Sequence, residues 1–168
     1  MLGKNTFNIL SKSNNLVMQY IRTPTIIWNN YLTNYNFTVD ACASDKNHLV
    51  DKYWTEENCA LEKKWDGEIV YCHPMYDLNI PKFVSKAVES KCKTVFLLPA
   101  STNSRYFHKY FWDSQTLKLR SNINIQFLPA KKGGYKFCTE DNIEPKVGYL
   151  RPLMIVEVNN IGGSYGTK

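Results

Sequence analysis

At 168 residues, 43% hydrophobic and 14% aromatic, the chain is long enough to bury a core of its own and too apolar to be disordered. The formal net charge of +6 favours a polyanionic partner without proving one. No apolar run approaches the ~20 residues of a membrane span, and the N-terminus has no signal-peptide pattern, so a cytoplasmic protein is expected. Five cysteines (42, 59, 72, 92 and 138) and three histidines (48, 73 and 108) show no metal-ligand spacing, which points to reduced thiols and no metal site.

In chain order, residues 1–15 are polar and aperiodic and predict a loosely held arm. Thr23-Pro24 reads as a helix start, with Thr23 as N-cap and Ile26, Ile27, Tyr31 and Leu32 at near-helical spacing to about Asn34. Phe37 to Asp40 predicts a strand ending in a carboxylate, and Ala41-Cys42-Ala43-Ser44 offers small side chains for close ligand approach. Tyr53 and Trp54 are expected to anchor a polar loop, and Cys59 to Leu61 to form a helical turn above Trp65.

After the Asp66-Gly67 turn, the short run Ile69-Val70-Tyr71-Cys72 predicts a buried strand of a parallel sheet. It stops at His73-Pro74-Met75-Tyr76, where ligands bind in open α/β sheets. Pro74 makes a rigid turn with free carbonyls, and a polar ring beside an exposed aromatic face suits an adenine-sized base. The plain alternative is a strand ending in a β-turn.

Phe83, Val84, Ala87 and Val88 mark an amphipathic helix over residues 80–91, and Lys93 to Pro99 the next strand. Residues 103–112 predict a short aromatic helix, residues 117–128 two short strands, 131–136 a flexible basic turn, and 153–158 a last strand before a Gly-rich tail. The sum is an α/β fold: an arm at 1–15, one domain at 16–160 and a tail at 161–168.

The motif order resembles the phage-type DNA N-6-adenine-methyltransferase family. Arg22-Thr23-Pro24, Phe37 to Ser44, Tyr53 to Leu61 with Trp65, and Phe96 to Ala100 with Arg105 to His108 follow the family's sequence of landmarks. The resemblance implies a compact Rossmann-like sheet, S-adenosyl-L-methionine as methyl donor and double-stranded DNA as substrate, in the host cytoplasm if phage-encoded. It places His73, Pro74 and Tyr76 in catalysis and Thr23, Asp40, Ala41, Cys42 and Ala43 at the cofactor. Arg105, Lys109, Lys131 and Lys132 are candidate phosphate contacts.

His73 and Met75 depart from the family, which carries Asn or Asp and a second Pro there. In such enzymes the first residue and the Pro carbonyl accept hydrogen bonds from adenine N6. Neutral His73 can accept one through an unprotonated ring nitrogen. An unperturbed ring titrates near pH ~6.5, a nearby sulfonium is expected to lower that value, and activity is expected to fall as pH drops through the titration. Two alternatives stay open at single positions: Asp40 as a turn-capping carboxylate, and residues 131–136 as a solvated hairpin. A third concerns the whole chain, a catalytically inactive relative that binds DNA or a host protein.

Overall fold

The structure, a computed structural model, describes residues 21–162. The expected arm at 1–15 and the end of the tail lie outside the described residues. A first helix, α1, begins at Thr25–Ile27, widens into a π-helical turn at Trp28–Leu32 and tightens at Thr33–Tyr35. The next elements are β1 (Val39–Asp40), β2 (Ile69–Cys72), the helix α2 (Ile80–Glu89) and β3 (Lys93–Pro99). A π-helical segment, α3 (Phe107–Phe111), precedes a two-stranded ribbon of β4 (Trp112–Asp113) and β5 (Lys118–Leu119). The chain ends with β6 (Ile123–Phe127) and β7 (Leu153–Asn159).

The main sheet runs β1-β2-β3-β7-β6. The first three strands are parallel, with Asp40 beside Tyr71 and Cys72 beside Phe96. β7 runs against both neighbours, so β6 points the same way as β1 to β3. This mixed sheet is the expected α/β architecture, with one reversed strand that the apolar run at 153–158 could not announce.

Side chains alternate across the sheet because successive Cβ atoms of a strand point to opposite faces. Val70, Cys72, Phe96, Leu98, Met154, Val156 and Val158 pack on one face, against Val84 and Ala87 of α2 and against Trp65. Tyr71, Val95, Leu97, Leu153 and Ile155 pack on the other, against Ile27 and Leu32 of α1 and against Tyr135 and Phe137. Trp65 is fully buried and donates its indole N–H to the Ala60 carbonyl at 2.8 Å, below the predicted turn. Backbone bonds from Asp40 to Lys52 and from Trp54 to Asp40 lay the predicted Tyr53-Trp54 anchor along the free edge of β1.

Thr23 is not the cap of α1: Pro24 occupies the N-cap position and no side chain caps the helix. The Thr23 hydroxyl is instead engaged by Tyr71 and His73, on the sheet face that α1 covers. At the other end of the molecule, Asn160 acts as a distant cap for α2. Its buried Nδ2 lies 3.1, 2.8 and 3.3 Å from the carbonyls of Ala87, Val88 and Ser90, and Asn122 donates to its Oδ1. Asn160→Ala leaves helix-end carbonyls buried without a donor, and we expect a loss of ~2 kcal/mol. A drop in the urea midpoint with unchanged slope is the measurement.

Candidate active site

A cleft of about 540 Å³ opens at the carboxyl ends of β1 and β2, within the size range of small-molecule sites. Ala41, Cys42, Ala43 and Ser44 form one wall, and His73, Pro74 and Met75 another. Four carboxylates, Asp45, Glu56, Glu57 and Glu140, stand around it, and among the described residues Lys46, itself paired to Asp141, is the one lysine or arginine in the lining. The cleft therefore favours a ligand carrying positive charge.

Of the residues expected at the cofactor, Ala41, Cys42 and Ala43 reach this cleft, while Thr23 and Asp40 do not. The Asp40 carboxylate is buried and accepts the backbone N–H groups of Cys42 at 3.3 Å and Leu49 at 3.2 Å. It ties the loop that forms the wall through these two bonds. Burial raises its pKa to about 6, against the lowering effect of the two N–H groups and of nearby His48.

The motif follows from the pleat of β2. Tyr71 and His73 are two residues apart and so face the same side, toward the start of α1. The Tyr71 hydroxyl lies 2.6 Å from Thr23 Oγ1, which lies 3.1 Å from His73 Nδ1. Nε2 of His73 is buried and has no partner among the described residues. Burial lowers the pKa of this ring to about 3, so His73 is neutral at ordinary pH. The lowering expected from a nearby sulfonium is here produced by burial alone, which takes the ring well below the ~6.5 of a solvated imidazole.

Pro74 is buried, and no described residue donates a hydrogen bond to its carbonyl or to that of His73. Met75 closes the turn, its carbonyl accepting the Asp77 N–H at 2.8 Å. The Tyr76 ring, expected as an exposed face, is instead half-buried beside His73 at 5.4 Å, Tyr149 at 5.4 Å and Phe137 at 6.1 Å.

Phe137 and Tyr149 belong to the connection between β6 and β7, residues 128–152, which sequence reasoning took in part for a free basic turn. It is a strap tied across the motif. Tyr135 and Tyr149 bridge it to itself, and the Tyr135 hydroxyl donates to the Pro129 carbonyl at 3.0 Å. Arg22 donates to the Glu140 carbonyl at 2.8 and 3.0 Å, and Ser44 to the Glu140 carboxylate at 2.7 Å. The only sequence signal was its length, since a connection this long inside a compact domain usually has a function.

Arg105, Lys109, Lys131 and Lys132 are all exposed. Arg105 follows the carboxyl end of β3, the same end of the parallel strands as the motif; Lys109 lies 4.7 Å above the Tyr110 ring, and Lys131 lies 5.6 Å above Tyr135. Among the described residues no His, Cys, Asp or Glu cluster is arranged to hold a metal, and no helix is long and apolar enough to cross a membrane.

A parallel sheet with a reversed strand next to its last one, and a ligand cleft at the strand ends beside a Pro-turn, define a Rossmann-like methyltransferase-type domain. Residues 11–158 match the DNA N-6-adenine-methyltransferase (Dam) family, and the chain belongs to it. It is similar to the DNA N-6-adenine-methyltransferase of Haemophilus phage HP1 (strain HP1c1), with 24% identity over 117 residues. That alignment takes in 68% of this chain and 66% of the phage protein, just under two thirds of its length.

His73 and Asp40 pull stability in opposite directions. Between pH ~6.5 and 3 the unfolded chain binds a proton at His73 that the fold excludes, so stability falls as pH drops. Between about 6 and 3.8 the fold holds a proton on Asp40 that the unfolded chain releases, so stability rises as pH drops. We expect His73→Asn to gain on the wild type by ~1.4 kcal/mol per pH unit below pH ~6.5, and Asp40→Asn to lose ground over pH 4–6. Denaturant melts at pH 7, 6 and 5 check this; curves that run parallel to the wild type would contradict the burial argument.

Proposed function

We propose that the protein transfers a methyl group from S-adenosyl-L-methionine to N6 of adenine in double-stranded DNA. The observation that carries the proposal is a neutral, buried His73 beside an uncommitted Pro74 carbonyl, both lining the cleft. Family membership supports it and does not favour the binding-only alternative.

The cofactor fits the cleft in size and sign, held against Ala41, Cys42 and Ala43 with the ring of carboxylates facing its cationic groups. When bound, it supplies an electrophilic methyl on sulfur. The adenine amino nitrogen is a poor nucleophile because its lone pair is conjugated into the ring. Acceptance of its two hydrogens by His73 Nε2 and the Pro74 carbonyl concentrates electron density on N6 and orients the lone pair. Nε2 then takes the proton that N6 sheds as it becomes bonded to carbon. Tyr76 offers a stacking face, which a flipped base reaches by displacing Phe137 or Tyr149.

Incubation with adenine-containing duplex and labelled methyl donor should give N6-methyladenine, and the absence of product would overturn the proposal. The rate should stay level from pH 8 down to 5.5 as far as His73 is concerned, because the ring does not protonate there. His73→Ala removes one transition-state hydrogen bond, for an expected cost of ~2.7–4 kcal/mol of barrier.

Arg105, Lys109, Lys131 and Lys132 supply the phosphate contacts in this reading. Charge reversal of Lys131 and Lys132 together should weaken binding about equally for all sequences and flatten its salt dependence. A changed sequence preference in a binding assay would instead assign these residues to base readout.

A further inference from the structure

Thr23 neither caps α1 nor lines the cleft, yet it is buried and holds two hydrogen-bond contacts. The hydrogens there can be counted. Tyr71 is buried in full and keeps its proton, and Thr23 Oγ1 is its one partner among the described residues, so the phenol donates to Thr23. A hydroxyl oxygen has two lone pairs and one hydrogen. Thr23 can therefore face His73 Nδ1 in two ways.

In one arrangement Thr23 donates to Nδ1, and the ring hydrogen sits on Nε2. In the other, Nδ1–H donates into the second lone pair of Thr23, and Nε2 is bare. Only the second offers adenine an acceptor. It frees the Thr23 hydrogen, and Thr23 also borders a second hollow of about 360 Å³, together with Arg22, Asn47 and Lys136 among others.

We propose that Thr23, backed by Tyr71, is a positioning residue that selects the His73 tautomer. Its hydroxyl accepts the Nδ1 hydrogen and thereby presents a bare Nε2 to adenine N6. This inference rests on methyl transfer through His73. When N6 sheds its proton, Nε2 receives it and the N–H at Nδ1 remains bonded to Thr23, so the charge on the ring is met by an acceptor already in place.

The test uses the full chain with Thr23→Val, Thr23→Ser and Tyr71→Phe, and ¹⁵N-labelled histidine. Thr23→Val should lower kcat by about 10-fold or more with KM for the methyl donor unchanged, and Thr23→Ser should restore it. In the wild type bound to adenine duplex, the ¹⁵N shifts of His73 should report hydrogen on Nδ1, and Thr23→Val should abolish that preference. Unchanged kcat, or a raised donor KM alone, would overturn the inference, the second result making Thr23 a cofactor ligand.

Should Thr23→Val not fold, Tyr71→Phe carries the same reading, with kcat expected to fall at constant donor affinity and an unchanged kcat overturning it. Should the wild type transfer no methyl group, the proposed function fails by itself. The ¹⁵N comparison then decides the positioning role, sustained by a tautomer that depends on Thr23 and overturned by one that does not.

Discussion

The pleat of one four-residue strand governs the site. Because side chains alternate along β2, Val70 and Cys72 belong to the core under α2, while Tyr71 and His73 share the opposite face. A slip of one residue would turn the phenol and the imidazole to the wrong side together. Registers between β1, β2 and β3 hold the strand on both sides, so the position of the His73 ring is set by backbone bonds several residues away.

Burial then decides what that ring can do. The solvent shielding that keeps His73 uncharged also strengthens each hydrogen bond it makes, and it leaves Nε2 without competition from water. An Asn or Asp at this position accepts through oxygen whatever its neighbours do. A neutral histidine accepts only through the ring nitrogen that carries no hydrogen, so what Nε2 can do depends on what meets Nδ1 from behind.

Much of this frame was legible in the sequence. The runs at Ile69 to Cys72, Lys93 to Pro99 and Leu153 to Val158 are apolar and short and end at turn residues, and each became a central strand. The spacing of Val84 and Ala87 put α2 where its apolar stripe demanded. What escaped had no local signal. Thr23 meets His73 across fifty positions of chain, and a Thr-Pro pair reads locally as a helix start. Phe137 and Tyr149 sit in a polar stretch without periodicity, and their burial comes from tertiary packing on the sheet face, on each other and on the motif. The reversed direction of β7 is a matter of topology, to which a symmetric apolar run is blind.

The strap is closed by backbone, at a place where Gly134 and Gly148 lie against each other's strands. A Cβ on Gly134 would fall on the carbonyl of Tyr149, and one on Gly148 on the carbonyl of Gly133. Two bare positions thus form the stem, and the exposed stretch between them adds ion pairs of its own, Glu144 with Lys136 and Asp141 with Lys46. The stem is fixed where no side chain fits, and a larger residue at either glycine would have to push the two backbone segments apart and loosen the cover over Tyr76.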